Sequence, residues 1–376
     1  MRRSWAFAAA GAIAASLLVF PSSPAYADDI RDSEWMVDAL KLPEAHQIAT
    51  GEGVTVGIVD TGVDSTHPDL TGVVVAGKDS WSPGQDGQTD PVGHGTAMAS
   101  LVAGHGHGAD GSEGVLGVAP GAKILSYGAW RPGDEKYDDA DLLKGIRWLI
   151  ESEADVILLA YGGGTSNTQE EALINEALDK GIPVVSGTGN AYAGALAVGF
   201  PGLYPGVALA GCSNRDGDYS DVGLPSPDII IAAPCEEVVS ASIEGGYNSI
   251  SGSSKSAAVV AGLYALIKSH WPDISLKDMH RKILQTADDK GTSGRDEYVG
   301  YGVINPVNAL TASVDPVDPA NPPHQVGDPA YVTDQPGPSS AAAPSSSQTP
   351  WIIATAVASI AIVAGILIVI YRRRRA

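Results

Sequence analysis

The chain has 376 residues, of which 23 are Lys or Arg and 44 are Asp or Glu, so its formal net charge is −21. Six of the basic residues lie in residues 1–27 and 372–376, which leaves 17 basic against 44 acidic residues between them, a net charge near −27. This charge argues against nucleic acid as a partner and against adhesion to anionic lipid, because both need a basic surface, and it favours solubility in an exposed compartment.

The N-terminus has the three parts of a secretory signal peptide. Arg2 and Arg3 precede an apolar stretch that is followed by a Pro/Ser break and the small-residue pattern AYA. This order predicts export, with residues 1–27 removed before Asp28. The apolar stretch is too short to be a membrane anchor.

The C-terminus predicts a single membrane helix. Residues 351–371 contain no charge and are bounded by Trp351 and Tyr371, and at about 1.5 Å per residue such a helix crosses the hydrocarbon core of a bilayer. The arginines of residues 372–376 place the tail in the cytoplasm by the positive-inside rule. Residues 313–350, with nine prolines and six serines, are expected to form a disordered tether.

The remaining part, residues 28–312, is predicted to form one α/β domain. The apolar runs GVTVGIVD, VILLAYG, IPVVSGTG and PGVALAGC read as buried strands, and amphipathic stretches such as YDDADLLKGIRWLIESEA and TQEEALINEALDKG read as helices. This alternation indicates a mainly parallel sheet covered on both faces, in which functional residues collect at the carboxyl ends of the strands.

Three short motifs contain residues that can carry hydrolytic chemistry. Asp60 ends the first strand in GIVDTGVDSTHPDL, His94 lies between glycines in GHGTAMAS, and Ser254 precedes an apolar run in GSSKSAAVVAG. Alone, each has a structural interpretation, respectively a strand-end turn, a loop histidine and a helix N-cap. Together they give an Asp, His and Ser in the chain order that serves acyl transfer on one type of α/β fold.

The three motifs resemble the catalytic signatures of the subtilase family of serine peptidases, and the resemblance extends from about Gly51 to Ala309. It implies a three-layer subtilisin-like fold and a serine endopeptidase that needs no cofactor. Ser254 would be the nucleophile, His94 the general base and Asp60 the carboxylate that orients the imidazole. The run VVSGTGNAYAG resembles the oxyanion-hole segment of the family, which makes Asn190 a hydrogen-bond donor to the oxyanion.

The resemblance also predicts the walls of the substrate site. One wall pairs with an extended peptide as an added strand, and the other borders the main specificity pocket. The first wall contains Ala160, Tyr161, Gly162 and Gly163, and the second contains Gly187, Thr188 and Gly189. A family segment before the pocket floor predicts a cis peptide bond at Pro201.

Several features leave alternatives open. Cys212 and Cys235 most simply form one disulfide in an exported domain, although two free buried thiols are the alternative. Lys255 places a cation in the first turn of the helix after Ser254, which opposes the helix dipole. No metal site is predicted, because Gly111 stands where a calcium ligand of the family is expected. Four further residues could bind a metal but are interpreted as solvated loop groups: Asp64, Asp69, His105 and His107.

The combination of a subtilase domain, a short N-terminal segment, a Pro-rich tether and a C-terminal membrane helix resembles the mycosins, the membrane-anchored subtilases associated with type VII secretion. The resemblance implies limited processing of protein or peptide substrates at the cell membrane, with membrane subunits of a secretion system as partners. A rival hypothesis from another class is a largely non-catalytic component that stabilises a membrane secretion complex.

Overall fold

The central layer of the fold is a parallel β-sheet. The structure, a computed structural model, describes residues 29–80, 86–130 and 138–314, all of which lie in the first of two units, residues 1–332 and 333–376. The strands in chain order are β1 (Thr55–Asp60), β2 (Val74–Asp79), β3 (His105–His107), β4 (Glu113–Leu116), β5 (Lys123–Gly128), β6 (Val156–Leu159), β7 (Val184–Gly187), β8 (Ala208–Ser213), β9 (Ile231–Pro234), β10 (Val238–Ala241) and β11 (Tyr247–Ile250).

The strand order confirms the predicted sheet. In the part of the chain that the structure describes, seven strands pair in parallel in the order β2-β5-β1-β6-β7-β8-β9. The strands β10 and β11 form an antiparallel pair, as do β3 and β4. The four apolar runs identified in the sequence are β1, β6, β7 and β8, so the predicted α/β class with a mainly parallel sheet is correct.

Helices cover both faces of this sheet. They are α1 (Asp29–Ser33), α2 (Trp35–Ala39), α3 (Leu42–His46), α4 (His94–Ala103), α5 (Asp139–Glu151), α6 (Thr168–Asp179), α7 (Ser253–His270), α8 (Leu276–Thr286) and α9 (Pro306–Thr311). Because successive side chains of a strand point to opposite faces, Ile58 packs with α4 and α7 whereas Val59 packs with α5 and α6. Helix α7 is buried on nearly all sides, which explains its almost uniformly apolar sequence.

The N-terminal helices belong to the same core. Trp35, Met36 and Leu42 are buried in the cluster that contains α4 and α7. The indole Nε1 of Trp35 donates to the carbonyl of Glu237 at 3.2 Å, and Nε of Arg31 donates to the carbonyl of Gly114 at 2.9 Å. The short segment before β1 is therefore an integral part of the folded unit.

The strand order creates a switch point at β1. Strands β2 and β5 lie on one side of β1 and β6 to β9 lie on the other. In sheets of this kind a crevice opens outside the carboxyl ends of the strands at the switch point, and ligands bind there. Asp60 is the last residue of β1 and Ala160 directly follows β6, so both predicted site residues lie at this crevice.

Two covalent features lie near the ends of the central strands. Cys212 on β8 and Cys235, which follows β9, form a disulfide with 5.3 Å between their Cα atoms. The Phe200–Pro201 peptide bond is cis, which confirms the prediction for Pro201.

Several predicted segments lie outside the described residues. They are the signal peptide (residues 1–27), the tether beyond residue 314, the membrane helix (residues 351–371) and the basic tail (residues 372–376). Among the helices of the described ranges, none has the length and apolar character needed to cross a bilayer. These segment assignments stay predictions from the sequence.

Candidate active site

The buried Asp60 and the half-buried His94 form a close pair at the crevice. Nδ1 of His94 lies 2.8 Å from both carboxylate oxygens of Asp60, and the backbone N–H of Thr61 donates to Asp60 Oδ1 at 2.7 Å. Only 1% of the surface of Asp60 is exposed, so these donors replace water around the carboxylate. This arrangement keeps the proton of the neutral imidazole on Nδ1 and leaves Nε2 as the basic nitrogen.

Tight turns bring the two residues together. Gly95, in the first turn of α4, comes so close to the carbonyl oxygen of Gly62 that a Cβ atom would lie 2.0 Å from it. The backbone N–H of Gly95 donates to the hydroxyl of Thr61 at 2.9 Å, which ties α4 to the end of β1. The glycines of both motifs are therefore required by close packing as well as by turn geometry.

Asp90 holds the start of α4 and was not identified from the sequence. Its carboxylate accepts from the N–H groups of Val92, Gly93 and Thr96 at 2.8–2.9 Å, and from the Thr96 hydroxyl at 2.7 Å. The sequence does contain an indication of this role. An Asp four residues before His94, with a glycine between them, is a spacing typical of side-chain to backbone capping.

The protonation of His94 depends on several charged neighbours. Burial opposes its protonation, but the charge and hydrogen bond of Asp60, with a further contribution from Asp90, raise the pKa of His94 above its ordinary value of 6.5. The charge of Lys255 acts in the opposite direction and lowers the pKa of His94. Because its pKa is raised, His94 becomes the neutral imidazole that can accept a proton at a higher pH than an ordinary histidine does.

Ser254 lies in the first turn of α7, and its hydroxyl donates to the carbonyl of Ala160 at 3.0 Å. Within the described residues no hydrogen bond joins Ser254 to His94. The close nucleophile–base contact that the motifs predict is therefore not formed here, because the hydroxyl is directed to the end of β6. Catalytic hydrogen bonds of this type often tighten only in the complex with substrate.

Asn190 contacts the same helix start. Its Oδ1 accepts from the backbone N–H of Ser253 at 2.8 Å, and its Nδ2 donates to the hydroxyl of Tyr192 at 3.0 Å. The first contact satisfies one of the N–H groups that the first turn of a helix leaves without an intrahelical partner. Asn190 therefore lies one residue away from the predicted nucleophile, with its amide plane fixed by two partners.

The predicted substrate walls also meet at α7. A Cβ atom on Gly187 would lie 2.6 Å from the carbonyl oxygen of Ser253, and one on Gly162 would lie 4.0 Å from the carbonyl oxygen of Gly187. On the outer side of the first wall is a cavity of about 350 Å³. The residues that line it include Tyr161, Gly162, Gly163, Phe200 and Glu170. Both predicted walls thus border the crevice that contains Ser254.

Comparison with known proteins agrees with this geometry. A family model described as the subtilase family matches residues 51–302. The chain belongs to the subtilase family. It is 31% identical over 273 residues to subtilisin E of Bacillus subtilis, covering 72% of this chain and 69% of that protein. It is 32% identical to a thermostable alkaline protease of Halalkalibacterium halodurans, with 72% of each chain covered.

Solved structures of mycosins are similar to this subtilase as well. The crystal structure of MycP1 from Mycobacterium smegmatis is 29% identical and covers 82% of this chain and 90% of its own, with a TM-score of 0.65. MycP3 protease from the type VII (ESX-3) secretion system is 27% identical, with coverages of 74% and 88% and a TM-score of 0.63. The resemblance to subtilases and mycosins is confirmed, and the chain is a subtilisin-like serine endopeptidase.

Lys255 is buried beside the predicted nucleophile of this subtilase. Only 2% of its surface is exposed, and its Nζ donates to the carbonyl of Val238 at 2.6 Å and to the hydroxyl of Ser240 at 2.8 Å. Both partners are neutral groups on β10, so they satisfy hydrogen bonds without neutralising the charge. Burial lowers the pKa of Lys255 to about 7.

The interpretation of Asp69 and His107 as solvated loop groups is wrong. Asp69 is fully buried, and its carboxylate accepts from the N–H of Val115 at 2.7 Å and lies 2.6 Å from Nδ1 of His107. His107 Nε2 is 3.5 Å from a carboxylate oxygen of Glu113. In the three described ranges, no group of three or more His, Cys, Asp or Glu residues is arranged to hold a metal ion.

Replacing Lys255 with methionine should change the pH dependence of stability. A lysine titrates near pH 10.4 in an unfolded chain, whereas Lys255 in the folded protein titrates near pH 7. Between these values the unfolded state binds more protons, so the wild type gains stability as the pH rises from about 7 to 10 and loses it as the pH falls. Lys255→Met removes this dependence.

Denaturant unfolding at pH 6.5 and pH 10 measures the effect. We compare the free energy of unfolding of Lys255→Met with that of the wild type at each pH. The difference in favour of Lys255→Met should be larger at pH 6.5 than at pH 10 by on the order of 3 kcal/mol. The exposed Lys180, at the end of α6, provides the control variant Lys180→Met. A difference between Lys255→Met and wild type that is the same at both pH values would contradict a depressed pKa for Lys255.

Proposed function

We propose that this subtilase is a membrane-anchored extracellular endopeptidase that uses Asp60, His94 and Ser254 as its catalytic triad. The observation that carries the proposal is the meeting of three features at one crevice. These are the close contact of His94 with the buried Asp60, the start of α7 with Ser254, and the Asn190 amide held beside it.

In the proposed mechanism, the Ser254 hydroxyl leaves the carbonyl of Ala160 and attacks the peptide carbonyl carbon. Nε2 of His94 takes the hydroxyl proton as the Oγ–C bond forms, and Asp60 stabilises the resulting imidazolium. The oxyanion is stabilised by Nδ2 of Asn190 and the backbone N–H of Ser254. His94 then protonates the leaving amine as the C–N bond breaks, and water hydrolyses the acyl-enzyme by the reverse sequence of proton transfers.

The walls of the crevice support a peptide substrate. Tyr161, Gly162 and Gly163 follow β6, and the next residue, Gly164, forms an antiparallel bridge with Phe200, so the backbone beside this wall already takes part in strand pairing. In the second wall, Gly187 is the last residue of β7, and Thr188 and Gly189 follow it. An extended peptide that pairs with the first segment would place its scissile bond near Ser254.

The proposal includes a link to type VII secretion. MycP1 is described as an essential component of the type VII (ESX-1) secretion system, and it shares this fold over most of its length. The sequence of this chain also predicts a signal peptide at residues 1–27 and a membrane helix at residues 351–371. We therefore assign it limited processing of secreted proteins at the cell membrane, next to the membrane subunits of such a system.

A fluorophosphonate serine-hydrolase probe tests the assigned nucleophile. We expect the full-length chain to be labelled, Ser254→Ala to lose all labelling, and His94→Ala to label at least about 10³-fold more slowly because the hydroxyl has no base. Labelling rates are measured by gel fluorescence at pH 8. The adjacent Ser253 provides a matched control, since Ser253→Ala should retain labelling. Labelling that persists in Ser254→Ala, or disappears only in Ser253→Ala, would refute the assignment.

The pH dependence of labelling tests the electrostatics of His94. Only neutral His94 can accept the proton, and its pKa is raised, so the labelling rate should fall as the pH decreases, with a midpoint above pH 6.5. Lys255→Met should move this midpoint to higher pH, because Lys255, with a pKa of about 7, is still partly charged in this range and its charge lowers the pKa of His94. Lys180→Met serves as the control, and an unchanged or lower midpoint in Lys255→Met would contradict the coupling.

A second candidate is a structural component that stabilises a secretion complex. The observation in its favour is that the Ser254 hydroxyl donates to Ala160 rather than to His94, with the buried Lys255 beside it. A chromosomal Ser254→Ala substitution separates the candidates. Secretion that continues with the catalytically dead chain but stops when the chain is deleted would favour the structural role, whereas loss of processing with Ser254→Ala alone favours the enzyme.

A further inference from the structure

Tyr192 has an exposed ring but a fully engaged hydroxyl. It lies in the short turn Ala191–Ala193, two residues after Asn190, and 68% of its surface is exposed. Its hydroxyl accepts from Nδ2 of Asn190 at 3.0 Å and donates to the carbonyl of Ser251 at 3.1 Å. The ring is thus held over the site mainly through its oxygen atom.

The direction of each hydrogen bond between Ser253, Asn190, Tyr192 and Ser251 is determined. The carbonyl of Ser251 can only accept, so the phenolic proton must point to it. The N–H of Ser253 can only donate, which places the oxygen of the Asn190 amide toward it and the nitrogen toward Tyr192. The amide of Asn190 is therefore fixed at both ends, and one of the two N–H bonds of Nδ2 remains for another acceptor.

The same series of hydrogen bonds connects two segments of the backbone. Asn190 and Tyr192 lie in the segment after β7, whereas Ser251 and Ser253 lie on either side of Gly252 at the start of α7. A Cβ atom on Gly252 would lie 3.6 Å from the Tyr192 hydroxyl and 3.7 Å from the Asn190 amide atoms. The hydroxyl therefore lies two residues from Ser254, at the junction of the two segments that would bind the oxyanion.

We propose that Tyr192 is a positioning residue for the reaction: it holds the Asn190 amide so that its remaining N–H faces the oxyanion. This inference rests on the proposed role of Asn190. Hydrogen-bond donors stabilise an oxyanion effectively only when they are oriented before the charge develops. Without the hydroxyl, the Asn190 amide keeps a single anchor, the N–H of Ser253, and can swing about it.

The opposite role for Tyr192 would be occlusion, in which its hydroxyl removes a donor from the oxyanion. The amide carries two N–H bonds and Tyr192 uses one, so the geometry favours positioning. The two roles predict opposite signs. Loss of the hydroxyl slows acylation if Tyr192 positions Asn190 and accelerates it if Tyr192 occludes the site.

Tyr192→Phe tests the proposal with little risk to folding, because it retains the exposed ring and deletes one oxygen. The probe is the fluorophosphonate, whose phosphonyl oxygen occupies the oxyanion position, and its concentration is varied to separate the maximal labelling rate from the half-saturating concentration. We expect the maximal rate to fall about tenfold at an unchanged half-saturating concentration. Tyr298→Phe, at another exposed tyrosine, is the matched control and should have no effect.

The Asn190→Ala background distinguishes the inference from the function on which it rests. If Tyr192 acts through Asn190, Tyr192→Phe should cause no further loss in Asn190→Ala. Suppose that Asn190→Ala slows labelling. The positioning role of Tyr192 would then be overturned if Tyr192→Phe lowered the labelling rate tenfold in both backgrounds. It would also be overturned if the single variant Tyr192→Phe were labelled as fast as the wild type or faster. A wild-type rate in Asn190→Ala would instead overturn the oxyanion role of Asn190, and the inference with it.

Discussion

The burial of the Asp60 carboxylate at the end of β1 is the constraint on which the rest of the site depends. A buried carboxylate costs several kcal/mol unless donors and a compensating charge replace water. The Thr61 N–H and the imidazole of His94 provide this compensation, and the imidazole reaches Asp60 because Gly95 allows the start of α4 to approach the carbonyl of Gly62 so closely. The close packing at Gly95 and the tautomer of His94 are thus both linked to one buried carboxylate.

The buried Lys255 also affects the pKa of His94. Lys255 lies at the start of α7, where the helix dipole disfavours a cation, and its two acceptors on β10 are neutral. Asp60 and Asp90 favour protonation of His94 and Lys255 opposes it, so the pKa of the base results from two carboxylates and one ammonium group. Lys255, whose hydrogen bonds go to β10, therefore lowers the pKa of His94 although it is not a member of the proposed triad.

Local patterns in the sequence predict the frame of the molecule better than its polar contacts. The strands β1, β6, β7 and β8 were predictable because each is a short, nearly continuous apolar run, and α5 and α6 follow from helical periodicity. The burial of Lys255 and Asp69 was not predictable, because their partners Val238, Ser240 and Val115 come from segments that only the tertiary fold brings close. The same is true of Tyr192, whose hydroxyl contacts Ser251 across 59 residues of sequence.

The observed orientation of Ser254 is compatible with catalysis, because the backbone at the start of α7 is fixed by packing whereas the Ser254 hydroxyl can rotate. Gly187 packs so tightly against Ser253 that β7 and the start of α7 cannot shift independently. The Ser254 hydroxyl, by contrast, is held by one hydrogen bond to Ala160, which contributes about 1 kcal/mol. Rotation about a single side-chain bond can redirect it, and a hydrogen bond to His94 would offset the loss. The Ala160 carbonyl that it would leave lies where the proposed peptide-binding segment begins, so the proposed nucleophile lies beside the proposed substrate site.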